Sequence, residues 1–174
     1  MSGSDNPFAT PPEFRDPARR LRGRLASPVT LWTAGDRDAR AGLTVSSIVV
    51  AEGEPPVVLG LINTLTDLFD ALQETGAFVV HVLARHQRRL AERFAGVFPS
   101  PGGHFAEKEW DQSRWGPVLT VVADRACCTV AAVEEVGYHT LVRGTVERVD
   151  VGDAVDPLIY LRGGFRRLEP PERP

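Results

Sequence analysis

The sequence has few of the residues and runs that mark secreted or membrane-spanning proteins. Its 174 residues include two cysteines, Cys127 and Cys128, which are adjacent. Neighbouring residues on a strand point to opposite faces, so a disulfide between them would be strained, and we interpret both as reduced packing residues of a cytoplasmic protein. No apolar run reaches the ~18 residues of a membrane-spanning helix, and the first residues lack the basic start and apolar stretch of a secretory signal.

Several motifs that carry chemistry are also absent. The sequence has no G-x-G-x-x-G, no G-x-x-x-x-G-K-S/T and no G-x-S-x-G, so neither a Rossmann or P-loop nucleotide site nor a nucleophile elbow is expected. Its four histidines lack metal-site spacing, and the paired cysteines cannot supply a zinc quartet, so we predict no metal. The net charge of -3 gives no reason to expect binding to nucleic acid or an anionic membrane.

The composition fits one globular domain. Hydrophobic residues make up 43% of the chain, and a domain of this size buries enough surface to fold without disulfides or metal. Residues 1–13 are rich in Pro, Ser, Asn and Gly, and we predict that they are disordered. The domain is then expected to cover residues 14–174.

Strand patterns dominate the chain, and the pattern predicts six or seven strands with two or three helices. A helix is expected from Asp16 to Leu25, a second from Asn63–Thr64, with Thr64 and Asp67 as a capping box and Gly76 as its C-cap, and a third over 85–95. Residues 97–117 have several Gly- and Pro-rich turns and no clear period, which is typical of a functional or mobile loop. The predicted strands are 28–34, 43–51, 57–62, 78–83, 118–133 and 138–151, with short end pieces at 157–160 and 165–168.

The order of these elements favours one fold class. Helices do not alternate with every strand, so a doubly wound parallel sheet is the weaker interpretation. Val57–Ile62 is nearly all apolar and is expected to be buried on both faces, and Gly144 predicts a bulge or close packing. The sequence therefore predicts a mostly β protein, a β-barrel with flanking helices.

Six motifs in a fixed order resemble the flavin reductase-like family. AGLTVSSIVVAEGEPP (41–56) is similar to the family's Gly-Leu/Met-Thr-Ala/Val-Ser/Asn-Ser signature and its Pro-Pro entry to the next strand. The other five matches are LASPVTLWTAG (25–35), GAFVVHVLARHQRRLAERFAG (76–96), WGPVL (115–119), GYHTLVRGTVERV (137–149) and PLIYLRGGFRRL (157–168). Each motif alone is weak, but six in order over about residues 14–168 are specific to the family.

The resemblance implies a fold and a function. The family forms an FMN-binding split barrel of Greek-key type, dimerises, and holds FMN or FAD at the subunit interface. The implied activity is NAD(P)H-dependent flavin reduction, in which hydride passes from nicotinamide to flavin and reduced flavin can supply a partner monooxygenase. A non-catalytic flavin-binding protein, and an interaction module that has lost flavin, stay open as alternatives, and so does a deazaflavin as the cofactor.

The resemblance also implies site residues. Thr44, Val45, Ser46 and Ser47 match the segment along the isoalloxazine and ribityl chain, and His139 matches a histidine near flavin and nicotinamide. The turn formed by Asn63, Thr64, Leu65 and Thr66 matches the phosphate-binding segment, and its cofactor contacts are assigned to Asn63, Thr64 and Thr66. Free N–H groups and the positive end of a helix favour phosphate there, although plain N-capping by Thr64 is the alternative.

Four positions depart from the family pattern. Leu65 stands where an Arg or several Ser are usual, so either the phosphate is bound more weakly or a cation such as Arg15 or Arg85 comes from elsewhere. Tyr138 replaces an Asp beside His139, and Ile48 replaces an aromatic residue. His81 replaces an Asn, and a strand residue facing a polar edge is the simplest interpretation.

Two further sets of side chains have both a structural and a functional interpretation. The tryptophans, Trp32, Trp110 and Trp115, fit core or interface positions, with Trp110 as a candidate lid over the cofactor. The arginines of the first helix, Arg15, Arg19, Arg20, Arg22 and Arg24, fit a solvated helix face or help in binding an anion.

Overall fold

The computed structural model describes residues 16–106, 109–153 and 156–168. Its helices are α1 (Pro17–Arg22), α2 (Asp67–Thr75) and α3 (Arg88–Phe94), the last preceded by a 3-10 turn (Arg85–Gln87). Its strands are β1 (Ser27–Pro28), β2 (Thr30–Ala34), β3 (Ala41–Val45), β4 (Ile48–Ala51), β5 (Val57–Ile62), β6 (Ala77–Val82), β7 (Trp110–Ser113), β8 (Gly116–Leu119), β9 (Arg125–Val136), β10 (His139–Asp150), β11 (Ile159–Leu161) and β12 (Gly164–Arg166).

Seven strands form one antiparallel sheet in the order β3-β2-β6-β9-β10-β5-β4. The two edge strands, β3 and β4, are joined by Ser46–Ser47 alone. A flat sheet of this order would hold its edges about 29 Å apart, whereas the three Cα steps from Val45 to Ile48 span at most about 11 Å. The sheet must therefore curl until its edges meet, and β3 comes within 8 Å of β5 between Cα atoms. The mostly β barrel predicted from the sequence is confirmed.

Two of the predicted strands are divided in the structure. The predicted strand 28–34 becomes β1 and β2, because Ser27 and Pro28 pair with β11 while Thr30 onward pairs with β3 and β6. The predicted strand 43–51 becomes β3 and β4, which pair with different neighbours on either side of Ser46–Ser47. Alternation of apolar residues along the chain does not reveal where a strand changes partner.

The barrel core is built around one aromatic pair. Trp32 and Phe78 are fully buried and stack with ring centroids 4.7 Å apart. Gly60 and Gly144 lie against these rings, and a Cβ on Gly144 would stand 2.3 Å from a Phe78 ring atom. The ladder between β9 and β10 slips one residue at Arg143–Gly144, so both the bulge and the close packing predicted for Gly144 are confirmed.

The strand β5 is buried on one face only. Val58, Gly60 and Ile62 face the core, whereas Val57, Leu59 and Leu61 are half-buried on the outside of the barrel. The prediction that this apolar strand is buried on both faces is therefore wrong for the single chain, because no element described here covers its outer face.

A second core lies between the sheet, α3 and the β7–β8 hairpin. It contains Trp110, which is 7% exposed, with Phe94, Leu119 and Leu158 around it. Trp110 is thus a core residue and not a lid, because 110–119 forms a hairpin where the sequence predicted an irregular loop. Trp32 is also core, and the half-buried Trp115 donates its indole N–H to Glu147, at 2.9 Å.

Buried side-chain hydrogen bonds fasten the hairpin to the barrel. The Thr33 hydroxyl donates to the Pro117 carbonyl at 2.6 Å, and the Leu119 N–H donates to Nε2 of His81 at 3.0 Å. Outside this layer, β11 and β12 form a small sheet with β1.

The described helices include none that is long and apolar enough to cross a membrane. The disorder predicted for residues 1–13 falls outside the described residues.

We predict that Gly144→Ala destabilises the fold by roughly 1–3 kcal/mol, because the new methyl group overlaps the Phe78 ring and the packed core cannot yield without strain. Chemical denaturation measures the change. Gly164→Ala is the matched control, since a Cβ there meets nothing within 4 Å. Equal stability of the two variants would contradict the close packing.

Candidate functional site

The passage between β3 and β4 brings most of the predicted site residues to one end of the barrel. The Leu61 N–H donates to the Ser47 carbonyl at 3.0 Å, which places Ser47 beside the C-terminal end of β5. On the other side of β5, Ile62 pairs with Thr140. Asn63, the next residue, therefore lies beside His139, and the sheet register joins the three predicted segments.

A groove of about 370 Å³ opens on the α3 side of this passage. Thr44 and Ser46 line the groove together with Tyr160 and Phe165, whose aromatic ring centroids lie 5.5 Å apart. The remaining lining residues are Val29, Arg88, Glu92, Ala95, Val97, Gly163 and Gly164. The groove combines apolar and aromatic surface with a few hydroxyl groups, which is the usual make-up of a site for a flat organic ring.

Thr44 also holds α3 against the barrel. Its hydroxyl donates to the Ala91 carbonyl at 2.7 Å, so toward a ligand it can act as an acceptor. The Ser46 hydroxyl makes no hydrogen bond with the described residues and can donate. The side chain of Val45 is 3% exposed and packs in the core, so any contact from Val45 to a ligand comes from its backbone.

The turn before α2 is arranged differently from the prediction. The helix starts at Asp67, and its N-cap is Thr66, whose hydroxyl accepts from the Phe69 N–H at 3.4 Å. The predicted cap at Thr64 is wrong, because the side chain of Asn63 accepts from the Leu65 N–H at 2.9 Å and closes a separate turn first. The predicted C-cap Gly76 is confirmed, with φ of 64°.

The charges near this turn are acidic. Asp67 and Asp70 lie in the first turn of α2 and are exposed. Glu134 and Glu135, at the end of β9, pair with Leu141 and Thr140 beside the end of β5. Carboxylates at a helix N-terminus already satisfy its positive end, so they weaken its attraction for a phosphate.

His139 begins β10 and is half-buried. Its ring makes no hydrogen bond with the residues that the structure describes, so it is free to orient toward a ligand. The neighbouring Tyr138 is 96% exposed and Leu65 is 90% exposed. Both departures from the family pattern thus lie on the surface at the same end of the barrel.

His81 does not face a polar edge, and that prediction is wrong. The side chain is fully buried, with Nδ1 3.1 Å from the Leu31 carbonyl and Nε2 accepting from Leu119. Since the carbonyl can only accept, Nδ1 carries the proton and the ring is neutral. Burial lowers the pKa of His81 to about 4.

The two cysteines behave as predicted, as buried free thiols. Burial raises the pKa of the Cys127 thiol, and it raises the pKa of Cys128 to about 12. Both thiols are therefore protonated at neutral pH and are poor nucleophiles.

Sequence reasoning missed the groove itself. Its far wall comes from the closing motif PLIYLRGGFRRL, which was matched to the family without any role for its residues. Arg88, whose guanidinium lies 5.1 Å from the Phe165 ring centroid, was missed too. A glycine pair between aromatic residues, at 163–164, was the one signal that backbone could approach a ligand there.

The family assignment rests on the whole chain. Residues 22–169 match the model of the flavin reductase like domain, so the chain belongs to that family. It is 32% identical to an NADH-dependent flavin reductase of Rhodococcus sp., over 97% of this chain and 92% of that protein. It is 33% identical to an NADH:riboflavin 5'-phosphate oxidoreductase of Streptomyces pristinaespiralis, over 98% and 97% of the two chains.

A solved structure shows the same architecture. The NADH:FAD oxidoreductase SgcE6 of Streptomyces globisporus, in complex with NAD and FAD fragments, superposes with a TM-score of 0.81 at 25% identity, covering 95% of this chain and 99% of that one. The relatives are oxidoreductases, which confirms the family, the split-barrel fold and the enzyme class inferred from the sequence.

We predict that acid weakens the fold through His81. Its pKa of about 4 lies below the ordinary 6.5, so the unfolded chain takes up the proton first and stability falls as the pH drops below 6.5. Between about pH 7.5 and about pH 5 the free energy of unfolding should fall by about 2 kcal/mol from this residue. Urea denaturation at both pH values measures it, and in His81→Asn most of that loss should vanish; an unchanged loss would contradict the assignment.

Proposed function

We propose that this protein is an NADH-dependent flavin reductase that accepts FMN, with FAD as a second flavin. The observation that carries the proposal is the groove, which is lined both by the hydroxyl-bearing residues Thr44 and Ser46 and by the aromatic residues Tyr160 and Phe165. Membership of the flavin reductase-like family and the names of the relatives support it. NADPH is the alternative donor.

The groove fits a flavin ring in size and chemistry. Tyr160 and Phe165 offer aromatic surface for the ring, while Ser46 can donate to its carbonyl and ring nitrogens. The backbone at Val45 and Ser47 continues that wall toward the end of β5. Asn63, Thr64 and Thr66 would face the phosphate, with the hydroxyl of Thr64 the one not engaged in a described hydrogen bond.

A bound flavin supplies the hydride acceptor, and so no protein nucleophile is needed. The chain's own work is to hold the two substrates in contact and to exclude water. Ser46 stabilises negative charge that develops on the ring, because a fixed hydroxyl donor costs no reorganisation during the reaction. His139, whose ring is uncommitted, is the catalytic residue that we assign to the nicotinamide side.

The acidic turn at α2 bears on how tightly FMN is held. Asp67 and Asp70 compete with a phosphate for the helix end, and Leu65 offers no charge. We infer that flavin binds as an exchangeable substrate. This suits the supply of reduced flavin to a partner monooxygenase, and one relative is the reductase component of 4-hydroxyphenylacetate 3-monooxygenase of Thermus thermophilus.

A non-catalytic flavin-binding protein is the second candidate. Leu65 and Tyr138 favour it, because they replace polar residues of the family at the phosphate turn and beside His139. Such a protein would keep flavin through purification and would oxidise no NADH with any added flavin.

We also propose a homodimer. Val49 is 62% exposed and lies opposite the half-buried Leu59 on the outer face of β4 and β5. Leu61 and Leu141, paired across β5 and β10, continue this apolar face. A second copy of this chain would bury this apolar face. Because the face adjoins Ser47, the second copy would also complete the flavin site.

We further propose that the protein is cytoplasmic, which the buried reduced thiols of Cys127 and Cys128 support.

We predict that purified protein oxidises NADH when FMN or FAD is added, measured as loss of NADH absorbance. Ser46→Ala should raise the KM for flavin about two- to ten-fold, the effect of one lost hydrogen bond. Thr120→Ala, which removes an exposed hydroxyl that does not line the groove, should leave it unchanged. The absence of NADH oxidation with FMN, FAD and riboflavin would reject the reductase assignment.

We predict that Val49→Asp converts a dimer into a monomer, because a charge cannot be buried unpaired at an apolar interface. Light scattering after size-exclusion chromatography measures the mass. Val151→Asp is the control, since Val151 is 80% exposed at the opposite end of β10. A wild-type protein that is monomeric at assay concentration would reject the dimer.

A further inference from the structure

Seven arginines gather beside the groove with no acidic residue among them. Residues 17–29 and 157–168 contain Arg19, Arg20, Arg22, Arg24, Arg162, Arg166 and Arg167, and neither segment contains Asp or Glu. This is a concentrated positive charge in a chain whose net charge is -3. We call these seven residues the arginine surface.

The backbone brings the two segments together. The Arg162 N–H donates to the Gly23 carbonyl at 2.9 Å, so Arg162 lies between the positions of Arg22 and Arg24. Strand β1 pairs with β11 through Ser27 and Tyr160. The arginine surface is therefore fixed to the same small sheet that forms the far wall of the groove.

Arg162 occupies a position where arginine is unfavourable. Leu161 pairs with Gly164, so Arg162 and Gly163 are the two central residues of a hairpin turn, with φ of 51° and 77°. Both angles are positive, as in a type I′ turn, for which Asn-Gly or Gly-Gly is the preferred sequence. Among the residues described here, Arg162 is the one non-glycine residue with positive φ. The conformation of the turn therefore does not explain why this position carries an arginine side chain.

Contacts within the protein do not explain it either. Neither Arg162 nor Arg22 or Arg24 has a side-chain hydrogen bond or ion pair with the part of the chain that the structure describes. By contrast Arg85, Arg114 and Arg125 are paired with Asp156, Glu147 and Asp150. Unpaired exposed cations around one turn are available to an anionic ligand.

The groove decides which anion fits. Gly163 and Gly164 line it, so Arg162 stands at its rim, whereas the arginine in its wall, Arg88, is already paired with Glu92 at 2.7 Å. A ligand with a flat ring in the groove and a charged tail at the rim satisfies both features. At the other end, Asp67, Asp70, Glu134 and Glu135 repel such a tail, so the charge distribution orients the ligand.

We propose that Arg162, with Arg22 and Arg24, binds the diphosphate of NADH while its nicotinamide meets the flavin in the groove. The proposal rests on the proposed function, which assigns the flavin phosphate to the turn at Asn63, Thr64 and Thr66 and so leaves the arginine surface to the nicotinamide nucleotide. Guanidinium groups bind phosphate oxygens in bidentate fashion, and an exposed turn can bring one to the ligand without burying a charge.

The test separates turn stability from ligand binding. Arg162→Asn supplies the residue that the turn prefers, so its melting temperature should equal or exceed that of the wild type. Its Kd for NADH, measured by isothermal titration calorimetry, should rise about three-fold, and in the triple variant with Arg22→Gln and Arg24→Gln the affinity for NADH should fall about ten-fold or more. Both losses should shrink at high salt.

Three ligands identify the source of the diphosphate. A weaker Kd for NADH with an unchanged Kd for FAD supports the proposal, whereas a weaker Kd for FAD alone would overturn it. Riboflavin, which has no phosphate, should bind all variants equally. Arg162→Lys should retain most of the affinity, and Arg37→Gln, which removes an exposed arginine from the opposite end of the β2–β3 hairpin, should not change it.

An unchanged Kd for NADH in the triple variant would overturn the proposal, as would an equal loss of affinity for riboflavin. These results are independent of turnover. If the protein binds NADH through these arginines and yet oxidises no NADH, the reductase assignment is rejected and the proposed binding site is retained.

Discussion

The passage of the chain through Ser46 and Ser47 is the constraint on which this structure depends. Two residues join the opposite edges of a seven-stranded sheet, and so the sheet has to close on itself. The closure places Thr44 and Ser46 against α3 and turns Ser47 toward the end of β5. The same two residues therefore shape the barrel and form the wall of its groove, which is why a short polar segment can serve folding and binding together.

The second organising feature is the separation of charge around the groove. Acidic side chains, including Asp67 and Asp70, lie at the first turn of α2, while arginines that have no partner among the described residues stand at the other end around Arg162. This distribution of charge argues against a flavin that is bound permanently through its phosphate. A site that admits and releases charged nucleotides fits it better, and exchange of this kind is what a protein supplying reduced flavin requires.

Buried polar groups fasten the hairpin layer to the barrel. Thr33 and His81 each use a buried side chain to reach the β7–β8 hairpin, and the hairpin's own Trp110 packs in the core below it. Because His81 is held as a neutral donor and acceptor, it couples the attachment of this layer to pH. The hairpin in turn supports Phe94 and α3, on which one side of the groove rests.

The sequence by itself determined the family, the barrel class and the segments that meet at the site, since the order of motifs and the apolar patterns are local properties of the chain. It also identified Gly76 and Gly144, because a left-handed cap and a tight contact each demand glycine. It did not reveal the split of 43–51 into two strands, the burial of His81 and Trp110, or the start of α2 at Asp67 with Thr66 as its N-cap. Those features depend on which distant strand or hairpin lies alongside, and the same is true of the arginine surface, whose two segments lie more than a hundred residues apart and meet only when β1 pairs with β11.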